Sequence, residues 1–246
     1  MNTTPEVKHL LKKLKLSGIL STLPDRVSYA AGSKLTHQEF LERILSDELE
    51  RRRHGALERR LHNAGVNPDQ VMERFDWDAK ITLDRERLKG LLGLEFIDSK
   101  ENVIFTGPVG VGKTYLANAL AHAACRRENS VIVKKAVKMF KDLYAARADN
   151  SRDREIMKLV NPELLLIDDF GLERLTPDQA HDFYEILSER YERSSTIITS
   201  NRHVDEWIAL FDDAILANSA LDRLAHNAHQ IEIEGESYRR KKGLRR

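Results

Sequence analysis

The chain has 246 residues, 41% of them apolar and 32% charged, with a formal net charge of +1 and one cysteine, Cys125. That length holds one α/β domain and a smaller helical piece, and a lone cysteine excludes an internal disulfide. No run of about 18 apolar residues is present to span a bilayer, and MNTTPEVKHLLKKLKLSG lacks the apolar core and cleavage site of a secretory leader, so a soluble cytoplasmic protein is expected.

From Pro5 to Leu23 the apolar positions Val7, Leu10, Leu11, Leu14, Leu16 and Ile19 fit a helix loosely, with lysines 8, 12, 13 and 15 interleaved. Thr36 with Glu39 three residues on reads as a capping box. A long helical pattern follows through Phe40, Leu41, Ile44, Leu45, Leu49, Leu57 and Leu61, and Gly65 is expected to stop it. The first domain is therefore set at 1–65 and all-helical. Residues 66–100, with VNPDQ, RFDWD and a short amphipathic helix after Asp84, read as a linker.

The pattern changes at Asn102, where the third domain, 101–246, takes shape. Short apolar runs at 102–106, 131–135, 163–168, 196–200 and 230–234 alternate with helical patterns at 113–126, 137–148, 152–160, 177–193 and 205–224. Pro177 behind Thr176 is a helix start. Such alternation predicts a five-stranded parallel sheet with helices on both faces. The last strand ends about twelve residues before the C-terminus, leaving no room for a helical lid domain. That terminus, RRKKGLRR, carries six positive charges and no negative ones on a mildly acidic body. Two readings of it stand: a contact for a polyanion, or a solubilising tail.

GPVGVGKT, Gly107 to Thr114, satisfies G-x-x-x-x-G-K-[ST] in full and lies between a strand and a helix. A loop of this kind, Gly107, Pro108, Val109, Gly110, Val111 and Gly112, wraps phosphate oxygens and turns successive backbone N–H groups toward them, proline having none to give. Lys113 supplies a charge to the β/γ phosphates, and the Thr114 hydroxyl is a hard ligand for Mg²⁺. In LLLIDDFG four apolar residues suit a central strand, and two carboxylates at its C-terminal end sit where ligands bind in such sheets. Asp168 is placed for the metal shell and Asp169 for polarising a water. Asn201 closes TIITSN, another strand end, and reads as a γ-phosphate or water contact, or as a turn former. Arg223, in NSALDRLAH, reads as a guanidinium offered to a neighbouring subunit's nucleotide, or as a surface arginine.

GPVGVGKT, LLLIDDFG, TIITSN and LDRL in this order resemble the AAA+ ATPases of the DnaA/DnaC branch. The likeness is closest to the IstB-like group, helper proteins of bacterial insertion-sequence transposition, through RRHGALERRLHNAG, FDWD, IDDFGLERL and GESYRRKK. The resemblance implies a five-stranded parallel AAA+ core behind a helical N-terminal domain. It implies assembly with ATP on DNA and delivery of that target to a transposase. It also implies roles: phosphates at 107–114, metal at Asp168, catalytic base at Asp169, sensor 1 at Asn201, an arginine finger at Arg223, and a γ-phosphate sensor at Arg239. Many AAA+ proteins carry Glu where Asp169 stands. The shorter side chain suits a slow timer better than a motor.

Duplex DNA, bound with little sequence specificity, would be held through phosphates. The candidate cations are the lysines at 8, 12, 13 and 15, the arginines Arg52, Arg53, Arg59 and Arg60, and Lys134, Lys135, Lys138, Arg147, Arg152 and Arg154. Glu48, Glu50 and Glu58 alternate with the arginine group, so a salt-bridged solvated helix is an equal reading of it. His226 and His229 lack a third metal ligand nearby. Cys125 reads as a small buried hydrophobe, Trp207 as core, and Trp77 as core or as a base contact. A helicase loader of the DnaC type shares the same core, and a small-molecule P-loop kinase, monomeric and lidded, is the rival from another class.

Overall fold

The computed structural model describes residues 4–238, and the chain divides into two compact units, Met1–Arg59 and Arg60–Arg246. Arg239 and the basic tail lie outside the described residues.

The first unit holds α1 (Pro5–Lys13), α2 (Ser17–Ser33) and most of α3 (His37–Ala64). The loose helical pattern of residues 5–23 is two helices, because Lys15 takes a left-handed conformation (φ 56°) and breaks the run. Thr36 and Glu39 form the expected capping box: the Thr36 amide donates to Glu39 at 2.8 Å and the Glu39 amide to the Thr36 hydroxyl at 3.3 Å. Polar contacts tie α2 to α3. The Gly18 amide donates to Glu48 at 2.7 Å, Thr22 to Asp47 at 2.6 Å, and Arg26 pairs with Asp47 at 2.7 Å. Hydrogen bonds from Arg26 and Thr22 hold the Asp47 carboxyl below the usual carboxylate range. Arg51, then Arg52 and the Gly18 amide, outweigh burial and bring Glu48 down to about 2.

In the second unit a 3₁₀ turn (Met72–Arg74) leads to β1 (Ile81–Thr82), α4 (Arg85–Leu91) and α5 (Glu95–Asp98). Then come β2 (Asn102–Thr106), α6 (Lys113–Arg126), β3 (Val131–Lys135), α7 (Ala136–Ala148), α8 (Arg152–Val160) and β4 (Leu164–Phe170). The chain continues through α9 (Pro177–Arg190), β5 (Ser195–Ser200), a 3₁₀ segment (Val204–Leu210), α10 (Ala214–Ala225), β6 (Ala228–Glu232) and β7 (Glu234–Gly235). The main sheet is parallel with order β3-β4-β5-β2-β6, and β1 pairs antiparallel with β7. Every residue of β2 and β5 is buried, as expected for inner strands of a parallel sheet covered on both faces. Each of the apolar side chains among them, Val103, Ile104, Phe105, Ile197 and Ile198, contributes about 1.5–3 kcal/mol.

Two expectations shift. The helix expected over 205–224 is a 3₁₀ segment and a separate helix, because the Asp213 side chain accepts from the Ile215 and Leu216 amides and starts α10 afresh. The strand expected over 230–234 is β6 at 228–232 followed by β7, after the chain leaves the main sheet.

A fully buried arginine fastens the helix ends to the sheet. Arg190 donates to the carbonyls of Leu159, Val160 and Pro162 at 2.8–3.0 Å, to the Thr196 hydroxyl at 3.0 Å, and to the Ser195 carbonyl. Burial pushes its pKa down to about 9, and five acceptors offset the lost hydration of the cation.

Candidate functional site

The loop 107–114 connects β2, an inner strand of the sheet, to α6. The β4–β5 register slips between Ile167 and Phe170, and Asp169 sits at the slip with φ 58°. A left-handed aspartate is a strained arrangement that recurs at functional sites. Here it turns consecutive carboxylates to different surroundings: Asp168 is 3% exposed, while Asp169 is half-buried at the edge of a cavity.

Asp168 Oδ1 accepts from the Thr114 hydroxyl at 2.8 Å and from the Thr199 hydroxyl at 2.7 Å. Thr199 Oγ1 in turn accepts the Asp169 amide at 3.0 Å. Thr199, fully buried on β5, therefore fixes both carboxylate-bearing residues. Lys113 is 5% exposed, and its ammonium donates at 2.7 Å to the carbonyls of Gly107 and Pro108 and to Asn201 Oδ1. The lysine of the loop and the asparagine of β5's end thus face one space. Lys135, at the end of β3, lies 3.9 Å from the Asp169 carboxylate.

That space is a cavity of about 480 Å³. Val109–Tyr115, Asp169 and Asn201 line one side, and Gln70, Phe75, Ile81 and Tyr238 contribute to the rest. Its volume falls in the usual range for a cofactor-sized ligand. Phe75 meets Trp77 edge-on at 5.0 Å and Tyr115 at 5.5 Å. The Tyr115 hydroxyl donates to the Val71 carbonyl at 2.9 Å, and Arg126 pairs with Glu73 at 2.5 Å. These bonds pin the 3₁₀ segment to α6, so residues inside the expected linker form a wall of the cavity. The donor set also fits Mg²⁺. Thr114 and Asp168 offer two hard oxygens side by side, and Mg²⁺ takes one or two protein oxygens and completes its shell with water and phosphate.

A phosphate-type loop at the C-terminal end of an inner parallel strand, with a Thr–Asp pair beside it and a five-stranded order β3-β4-β5-β2-β6, defines a P-loop nucleotide-site protein with the AAA+ fold. Residues 9–245 match the profile of the family described as IstB-like ATP binding protein, and the chain belongs to that family. It is 40% identical over 239 residues to a Mycobacterium tuberculosis protein named as an ATP-binding protein in an insertion sequence, covering 97% of this chain and 95% of that one. It is 34% identical over 236 residues to an insertion-sequence ATP-binding protein of Pseudomonas aeruginosa, covering 96% and 89%. Among solved structures the fold resembles DnaI (TM-score 0.57, 23% identity, 66% of this chain and 90% of that one). It also resembles the replication initiator DnaA bound to AMPPCP and single-stranded DNA (TM-score 0.58, 22% identity, 73% and 56%).

Of the residues singled out in the sequence, Gly107 through Thr114, Asp168, Asp169 and Asn201 come together. Arg223 is not among the described residues lining the cavity. Its guanidinium donates to the Ser219 carbonyl at 2.8 Å and lies 5.1 Å from the Tyr184 ring centroid. Arg239 lies outside the described residues. Several candidate DNA cations hold internal partners. Arg147 and Arg152 both bond the fully buried Asp182, at 2.8 and 2.6 Å. Arg52 holds Glu48 at 2.7 Å, Arg60 bonds the Cys125 carbonyl and Glu128, and Lys134 bonds Asp142. Arg53, Arg59, Lys138 and Arg154 are exposed.

Sequence reasoning missed Thr199 and the 70–81 wall. A threonine directly after the apolar pair Ile197–Ile198 and two residues before Asn201 was the available signal for the first. Trp77, read as core or as a base contact, is not among the described residues lining the cavity; Phe75, against which it packs, is.

Proposed function

We propose that this protein binds ATP with Mg²⁺ in the cavity and hydrolyses it slowly, as a cytoplasmic regulator of transposition. In that reading it assembles with copies of itself on duplex DNA and recruits or stimulates a transposase. The observation that carries the reading is the convergence of Lys113, Thr114 and Asn201 on one cavity, with Asp168 bonded to Thr114 behind it. The insertion-sequence names of the relatives favour transposase over helicase as the partner.

Lys113 exchanges the Gly107 and Pro108 carbonyls for phosphate oxygens, and Asn201 orients the terminal phosphate. Thr114 and Asp168 hold the metal, which when bound neutralises phosphate charge. Asp169 accepts a hydrogen bond from the attacking water and takes its proton as the new P–O bond forms and the bond from the terminal phosphorus to the bridging oxygen breaks, releasing ADP and phosphate. An aspartate reaches less far than a glutamate, which makes that step slow. Arg223 acts on the nucleotide of a neighbouring copy. The exposed Arg53, Arg59, Lys138 and Arg154 are the proposed phosphate contacts of DNA.

Titration with ATP, followed by sizing with duplex DNA and a slowly hydrolysed analogue, tests the reading. Lys113→Ala should weaken ATP binding by about ten- to a hundredfold, the loss expected for a charge-assisted hydrogen bond, and should abolish ATP-driven assembly. Unchanged binding, or capture of a replicative helicase in place of the transposase, would overturn it.

A further inference from the structure

The segment Ile233–Tyr238 runs along the backbone of the phosphate loop and touches it at both ends. At the first, the Ile233 amide donates to the Thr106 carbonyl at 2.9 Å, and a Cβ on Gly107 (φ 133°) would overlap the Ile233 carbonyl oxygen. At the second, the Tyr238 amide donates to the Gly110 carbonyl at 2.9 Å, and a Cβ on Gly110 (φ 88°) would overlap the Ser237 hydroxyl. Between the two, Glu234 and Gly235 pair with Thr82 and Ile81, so the same strap joins the loop to the far wall of the cavity. Gly107 and Gly110 are therefore demanded by the strap as well as by a close approach of phosphate.

A trans peptide holds its C=O and the following N–H in one plane, pointing opposite ways. A hydrogen bond that fixes the Gly110 carbonyl therefore fixes the direction of the Val111 amide, and one that fixes the Thr106 carbonyl fixes the Gly107 amide. Val111 lines the cavity, and loop amides are the groups that receive phosphate oxygens. We propose that the strap Ile233–Tyr238 is a positioning element of the phosphate site: it aims the loop amides at a polyphosphate through backbone hydrogen bonds, and it is itself ordered when the loop is filled. The inference rests on the nucleotide reading of the cavity and adds to it a segment some 120 residues downstream of the loop.

The strap acts on the loop rather than on the base wall, so inorganic triphosphate reports it as well as ATP does. In the full-length protein, Tyr238→Ala keeps the backbone amide and Tyr238→Pro removes it. Tyr238→Pro should bind triphosphate and ATP about tenfold more weakly than Tyr238→Ala, the effect of one lost backbone hydrogen bond. Equal affinities in the two variants, both folded by circular dichroism, would overturn the inference and leave the nucleotide reading standing. A second measurement needs no variant. By reciprocity, ATP should slow amide hydrogen exchange over 233–238 along with 107–114. Slowing confined to 107–114 sinks the strap's role even if Tyr238→Pro fails to fold. Wild-type protein that binds neither ligand removes the nucleotide reading and this inference with it.

Discussion

In the second unit the residues around the phosphate loop are locked before any ligand chemistry is considered: Thr199, Asp168 and Lys113 are buried and each holds named partners. In the first unit α1 buries none of its side chains, and Leu41, Leu45 and Leu49 on α3 stand about half exposed. The first unit buries Ile19 and Leu23 of α2 and joins α2 to α3 through Arg26 to Asp47 and the Gly18 amide to Glu48, with Arg52 holding Glu48 from within α3. One region is organised by packing around a preformed site. The other is a set of helices with few buried side chains, an open leucine ridge on α3 and joints centred on the carboxylates of Asp47 and Glu48. The two should answer differently to core substitution and to acid.

The largest effect should come from the buried cation of the second unit. Arg190→Leu leaves the carbonyls of Leu159, Val160 and Pro162 without their donor. A loss of about 3–5 kcal/mol is expected, as for other broken buried charge networks, read as a fall in the denaturation midpoint of this unit. A variant as stable as the parent would mean that water replaces the guanidinium.

Thr199→Val is the sharper cut into the site. It keeps the shape of the strand but removes the donor to Asp168 and the acceptor for the Asp169 amide. About 1–3 kcal/mol is at stake. Hydrolysis should fall by about tenfold or more while ATP binding through Lys113 persists, so turnover and binding titrations on the same preparation separate the two. If binding fell as far as turnover, Thr199 would be holding the loop rather than the carboxylates.

Acid should strike the first unit. Glu48 titrates at about 2, held down chiefly by Arg51, and Asp47 is lowered by Arg26. A carboxylate with a depressed folded-state pKa stabilises the fold above its ordinary pKa and loses that contribution as pH falls toward the folded value. Between about pH 4.5 and 2, α2 and α3 should lose amide protection ahead of the sheet. Hydrogen exchange across that range would show it, and simultaneous loss in both units would mean that these ion pairs carry little weight.

The same contrast explains what was legible in the sequence. That GPVGVGKT, Asp168, Asp169 and Asn201 come together was readable because the loop motif and the ends of two inner strands fix residue type and spacing, and strand alternation predicted the sheet. Thr199 was not, since a threonine inside a strand looks like ordinary β-propensity until β4 and β5 are seen to pair. The wall at Gln70–Ile81 looked like a linker because its order comes from distant partners, Arg126 for Glu73 and Gly235 for Ile81. The arginines at 147 and 152 carried a charge pattern that fitted DNA, and Asp182, thirty residues further on, engages both. Charge in a sequence does not say which carboxylate will meet it.

The smallest expected effect tests the open face of the first unit. Leu41, Leu45 and Leu49 recur every four residues and so lie along one side of α3. Leu45 is 51% exposed, and Leu45→Ser should change stability by no more than about 0.5 kcal/mol, as surface substitutions do. Ile197→Ser, at a fully buried position in β5, should cost several times as much. Thermal melts of both variants at two protein concentrations make the comparison. A concentration-dependent loss in Leu45→Ser would mean that the leucine ridge is covered by another copy in solution, and the first unit would then owe its stability to association rather than to its ionic joints.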